Sequence, residues 1–420
     1  MTRLQLIFVL FLLNIILVWG ESKDRDGRLS LFSVVSFDNT ECTSSDTSAR
    51  CGTCYSSSEC AEKGGRAAGN CAAGFGVCCL FIVDTCGSTI SRNNSYFRSP
   101  GFPTAFTVTA ATACAFTIQR CQSNICSIRL DFENLITSEP ADGACGANNF
   151  DKITITSPSG FSPPGPGGLC GDGLSGQHMY VDTTLAGAVT FNVDAGTAAI
   201  ANRAWNIKVT QIACDDMNRP PQGCTQYFTG PSGSIKSYNF DGGQINDGHL
   251  YSNCIRQEEG FCGIDYSAVG DNDFLLKAAT AIKSQDAAIA IDCQETSVVI
   301  PTVLVPAAPP TLLEFCGGKF NTQSLQTEHG VARSTTTPFR FDFRAKTAAD
   351  ADGLAGFNLS KLQQFGQLVI TDLNLHLKGP QYHQRQYLLF LSSVCFSSED
   401  PKDILSSIDL LLFSIQLSSS

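Results

Sequence analysis

Charge is scarce in this chain. Of 420 residues only 16% are Asp, Glu, Lys or Arg, and 39 acids against 28 bases leave a formal net charge of -11. With no basic surplus there is no face to exchange counterions with a nucleic-acid backbone, which excludes that class of partner. Histidine is rarer: His178, His249, His329, His376 and His383 stand apart, and none forms a His-Glu-x-x-His pair for zinc hydrolysis. Gly171-Asp172-Gly173-Leu174-Ser175-Gly176 is superficially like a nucleophile loop, but no histidine accompanies it in a suitable context. Gly165 to Gly168 is a hairpin loop, with no helix after it to cradle a phosphate. The chain therefore reads as no enzyme. Outside the N-terminus long apolar runs are missing as well, and Ile408 to Leu417 is well short of the ~20 residues of a membrane-crossing helix, so no stable membrane span is expected.

What the chain does have is cysteine, twenty in all. Met1 to Gly20, with Arg3 ahead of the apolar Leu4 to Val18, reads as a secretory signal peptide. The cysteines downstream then imply disulfides in an oxidising compartment, and the protein is expected to be secreted. Asn93-Asn94-Ser95 and Asn358-Leu359-Ser360 are acceptor sequons, so Asn93 and Asn358 are the glycosylation candidates. Residues 21–41 form a charged, then serine-rich leader. Residues 42–80 hold seven cysteines among many glycines, with too little apolar side chain for a core of their own, so bridges must hold this piece together. Cys51-Gly52-Thr53-Cys54 suggests zinc, but no second pair and no nearby histidine support it. Seven is odd, so at least one cysteine should pair outside the module.

From Cys86 onward the pattern changes to short alternating segments between Gly, Pro, Asn and Ser. Strands are expected at Cys114–Gln119, Ser127–Phe132, Lys152–Thr156, His178–Asp182, Ala188–Asp194 and Ala204–Ile212. With no convincing amphipathic helix, the fold class is all-β, an antiparallel β-sandwich over 84–214. After the stiff Arg219–Gly223 link a second unit, 219–364, repeats the order: Phe339-Arg340-Phe341-Asp342 answers Phe191-Asn192-Val193-Asp194, and Phe357-Asn358-Leu359 answers Trp205-Asn206-Ile207. Trp205 and Phe357 alternate with Ile207 and Leu359 and are expected in the core. Tyr251, Tyr266 and Arg256 are the better surface candidates. Residues 365–420, with Cys395, have no assigned fold.

Cys86-Gly87, Tyr96 to Pro103, Cys114, Ile128 to Phe132, Cys145, Phe150 to Ile155 and Leu169-Cys170-Gly171 follow one another in the order of a CUB domain, and the segment resembles that family throughout. The second unit resembles it in a divergent form. Cys54 to Cys60 and Gly74 to Cys79 resemble the clip-like modules of arthropod secreted proteins, so the layout as a whole is similar to arthropod secreted CUB domain-containing proteins. The resemblance implies Cys86 to Cys114 and Cys145 to Cys170 bridges, Cys121 with Cys126 as a local pair, and Cys224 to Cys254 and Cys293 to Cys316 in the second copy. Cys214, Cys262 and Cys395 are left over.

Many CUB domains hold a calcium ion with one glutamate and two aspartates, and irregular oxygen sets from separate loops suit that ion. Asp151 and Asp194 stand where the aspartates would. Counting from Phe132 puts Ser138 at the glutamate's place, with Glu139 one residue late and Glu133 too early, so the implied metal set is Asp151, Asp194 and Glu139. The competing reading is that both aspartates cap turns at strand ends. In the second unit Asp342 remains, but Thr296 falls near the position of Asp151, and calcium is not expected there. The function implied is a secreted, non-enzymatic binding or adhesion protein that recognises an extracellular protein or glycan through CUB loops, calcium-assisted in the first domain. The alternative is a non-catalytic regulatory partner of an extracellular serine protease cascade.

Overall fold

The computed structural model describes residues 35–46, 49–140, 143–198, 200, 202–277, 286–293, 295–304, 309, 311–346 and 354–365. The signal peptide, most of the leader, Cys395 and residues 366–420 lie outside them. Contacts divide the chain into a unit ending at Asn39 and a unit beginning at Thr40. The described part of the first unit is a short segment, 35–39, with no regular structure. Everything below concerns the second.

Each sandwich uses the same set of eight strands. In the first they are β1 (Thr89–Ile90), β2 (Ser95–Arg98), β3 (Thr112–Ile118), β4 (Ile125–Ile136), β5 (Lys152–Thr156), β6 (His178–Asp182), β7 (Val189–Ala195) and β8 (Ala204–Ala213). In the second they are β9 (Cys224–Phe228), β10 (Ser232–Lys236), β11 (His249–Ile255), β12 (Phe261–Ala268), β13 (Thr296–Val303), β14 (Ala332–Ser334), β15 (Arg340–Ala345) and β16 (Gly356–Phe365). One layer of the first runs β1-β3-β7-β5 and the other β2-β8-β4-β6. The second repeats this as β9-β11-β15-β13 and β10-β16-β12-β14, down to the parallel pairing of β1 with β3 and of β9 with β11. The all-β, two-sandwich fold class is as expected from the alternation. Phe191, Val193, Trp205, Ile207 and Val209 all face inward and are essentially inaccessible, as are Phe357 and Leu359.

The N-terminal module is less separate than its composition suggests. Its last strand, Gly76–Val83, runs on past residue 80 and pairs in parallel with β2, so its small sheet continues the outer layer of the first sandwich. Glu41, placed in the leader by composition, is already paired with Thr53. Bridges Cys42–Cys78, Cys54–Cys71 and Cys60–Cys79 staple the module. Gly65 passes so close to the Cys60–Cys79 bridge that a Cβ there would collide with the Cys79 sulfur. The helix Ser57–Glu62 is set by a capping box between Ser56 and Glu59.

The Arg219–Gly223 link does not hold the sandwiches apart. One hydrophobic core runs through both of them, with Phe132 of β4 and Tyr238 of the second domain in ring contact at 6.4 Å. At Gly167 and Gly173 the backbone of the first domain touches that of the second, at Asp247 and at Asp241–Gly242, where any side chain would collide.

Candidate functional site

The metal expectation places a cation among the loops that follow β4 and precede β5 and β8. Asp151, immediately before β5, is fully buried there. A buried carboxylate needs both a counter-charge and hydrogen bonds to its oxygens. Arg203, immediately before β8, supplies the charge in a two-pronged contact, Nε to Oδ2 at 2.9 Å and Nη2 to Oδ1 at 2.8 Å. Backbone amides supply the rest: Gly196 donates to Oδ1 at 2.8 Å and Ser138 to Oδ2 at 2.9 Å. Ser138 Oγ in turn accepts from the Asp151 amide at 2.6 Å.

That arrangement corrects the calcium set. Both oxygens of Asp151 are already occupied by a fixed guanidinium and two amides, so the carboxylate has no free lone pair facing a cation, and Arg203 would repel one. Asp194 is exposed on β7, where it accepts from Asn192 Nδ2 at 2.9 Å. Glu139 faces a third direction, accepting from the Asp172 amide at 2.7 Å and from Asn239 Nδ2 of the second domain at 3.1 Å. Burial raises its carboxyl above the usual range. The three do not converge, and among the described residues no group of three or more His, Cys, Asp or Glu side chains could hold a metal ion. Sequence reasoning missed Arg203. Its only signal was an arginine directly ahead of the closing strand, on the same loop end as Asp151.

The same loop end is covered by the second domain. Asn239, in the left-handed conformation that Asn tolerates, places its Oδ1 2.9 Å from the Gly173 amide and its amide on Glu139. Asn246 bridges to Cys170 through both its backbone amide and carbonyl, at 3.3 and 3.2 Å. His249 Nε2 donates to Gly168 O at 2.8 Å, and Tyr238 Oη donates to His178 O at 2.9 Å. The loop resembling a nucleophile motif, Gly171 to Gly176, is therefore part of an interdomain seam. Burial holds His178 and His249 down to about 4.

Cysteine placement differs from the expectation at one pair. Cys126 is bridged to Cys214 across the ends of β4 and β8, so Cys121 is not its partner and is a free, exposed thiol. The reason is the register: Ile212 pairs with Ser127 and Ala213 with Ile125, which brings Cys214 beside Cys126. Cys86–Cys114, Cys145–Cys170, Cys224–Cys254 and Cys293–Cys316 are bridged, and Cys262 is also disulfide-bonded. The odd module cysteine is Cys51, a half-buried free thiol. Asn93 is half-buried and uses its oxygen to hold the Gln211 amide at 2.7 Å. Asn358, the other sequon, is only 9% exposed and gives its Nδ2 to Asp273 at 2.9 Å, so the folded chain has no room for a glycan on that nitrogen. Tyr251 and Tyr266 are core residues rather than surface ones, while Arg256 is exposed and paired with Glu258 at 3.0 Å.

Comparison with known proteins places a family on the second sandwich. The family model for the animal CUB domain matches residues 221–364, so the chain carries a CUB domain there. No curated protein matches the chain in sequence. Among solved structures, it is similar to the CUB1-EGF-CUB2 domain of human MASP-1/3, at 14% identity and a TM-score of 0.21, covering 64% of this chain and 98% of that one. The MASP-1 CUB2 domain bound to Ca2+ is similar at 19% identity and a TM-score of 0.24, covering 30% of this chain and 98% of that one. The full extracellular region of zebrafish Gpr126/Adgrg6 is similar at 12% identity and a TM-score of 0.25, covering 67% of this chain and 34% of that one.

Proposed function

We propose that this chain is a secreted, non-catalytic recognition protein whose two sandwiches work as one rigid body, binding an extracellular protein or glycan. The observation that carries this reading is the seam: a shared core and backbone-to-backbone contact fix the two domains relative to each other. A fixed pair of sandwiches presents one extended, pre-organised surface, which lowers the ordering cost of binding. The CUB domain over 221–364, of a class that generally mediates protein binding, supports the same reading. The bridges and the secretory signal expected at Met1–Gly20 fit an extracellular setting. Recognition in this reading is independent of calcium at the Asp151 end, because Arg203 already neutralises that carboxylate.

The test is capture of partners from extracellular fluid by the tagged, full-length secreted chain, with and without chelator. The reading expects a specific partner retained equally in both. Loss of that partner with chelator removes the calcium-independent part, and failure to retain any partner removes the recognition role. Recovery of a serine protease would turn the reading to the regulatory partner of a protease cascade.

A further inference from the structure

A cavity of about 300 Å³ opens along the seam, walled by Gln177 and His178 of the first sandwich and by Gln226, Phe228, Ser234 and the Lys236–Asp241 pair of the second. It is at the small end of ligand pockets, which run from roughly 300 to 1,000 Å³, and holds the volume of about ten waters. Its chemistry is specific. Lys236 Nζ lies 2.7 and 2.9 Å from the two Asp241 oxygens, so the rim carries no net charge. His178, held neutral by burial, packs against the half-buried Phe228 ring at 5.0 Å and gives one aromatic wall. Gln226, only 2% exposed, uses its amide on Tyr238, and its Oε1 has no hydrogen-bond partner. A buried acceptor left unpaired is costly unless something donates to it. Ser234 adds an exposed hydroxyl at the mouth.

We propose that this interdomain pocket binds one neutral saccharide unit, a hydroxyl of which donates to Gln226 Oε1 while the sugar's C–H face lies on Phe228. An anion would find its only lysine neutralised, and an apolar ligand would bury the amides and hydroxyl unpaired. A sugar ring supplies both the donors and the apolar face, and one ring with its linkage fits the volume. The inference rests on the reading of the chain as an extracellular recognition protein and names the ligand class for one site of it.

The test uses the full secreted chain and ligand-observed NMR with the methyl glycosides of glucose, galactose and mannose and with N-acetylglucosamine, against sialic acid and a sulfated glucosamine as charged probes. At least one neutral probe is expected to bind in the millimolar range. Phe228→Ala and Gln226→Leu should each weaken it about tenfold. Ser234→Trp, at an exposed position, should block binding while leaving thermal unfolding unchanged. Absence of neutral-sugar binding, preference for the charged probes, or binding that survives Ser234→Trp overturns the proposal. Because partner capture is measured separately, a chain that retains a protein partner but no sugar loses this site and keeps the recognition reading.

Discussion

In the first sandwich the residue before β5, Asp151, is buried against Arg203, whereas in the second the first residue of β13, Thr296, is buried with only a neutral bond, its Oγ1 accepting from the Lys277 amide at 2.7 Å. The strand pairings around these positions are the same, so the topology does not demand an ion pair. What differs is the number of backbone amides to be gathered: Asp151 organises Ser138 and Gly196 from two loops, while Thr296 ties down one segment. A carboxylate can take four donors where a hydroxyl takes two, and once buried it must have a cation. Arg203 is that cation in this chain.

The largest effect should follow from breaking the pair. Asp151→Ala leaves Arg203 buried and unpaired, and should cost about 3–5 kcal/mol in urea unfolding of the full chain. A loss no larger than that of a surface substitution would dissolve the contrast between the domains. Next is acid. Burial holds His178 and His249, one from each sandwich, down to about 4 from the ordinary 6.5. The unfolded chain takes up these protons first, so their contribution is full above about 6.5 and is lost as pH falls from there toward about 4. Urea midpoints across that window should decline, and His249→Gln, which keeps a donor for Gly168 O, should flatten the slope.

How much of this was legible in the sequence divides along range. Alternation at Phe191–Val193 and Trp205–Val209 marks strands that form within a residue or so of the expected bounds, because a half-buried strand writes its inward face into every second position. The parallel order of the two halves likewise survives as matched strand pairing. Asp151 and Arg203 are 52 residues apart, and nothing local says that an arginine rather than an ion meets the carboxylate. The seam was hidden for a similar reason: Gly167, Gly173 and Asn239 look like ordinary loop residues, and only the approach of another backbone gives them their role. Tyr251 and Tyr266 looked like surface candidates because their neighbours are polar, yet the core spans both domains and takes them in.

Smaller effects sharpen the same comparison. Thr296→Val removes one neutral bond and should cost about 1 kcal/mol, several-fold less than Asp151→Ala. Equal losses would mean that the two loop ends are held alike. Free thiols should also separate the regions. Burial pushes both Cys51 and Cys121 up, so thiolate-directed labelling of the native protein at neutral pH should be slow, faster at exposed Cys121 than at Cys51. Peptide mapping should find no label on Cys224, Cys254, Cys293 or Cys316, and label there would show that the second sandwich is not bridged as described.

The most direct measurement is a calcium titration of the full secreted chain by calorimetry, run beside Asp151→Asn and paired with melting in calcium and in chelator. With Arg203 in the cation's place, no saturable heat should depend on Asp151, and the melting temperature should be the same in both buffers. A saturable heat that vanishes in Asp151→Asn, together with a calcium-dependent rise in melting temperature of the unmodified chain, would contradict the account.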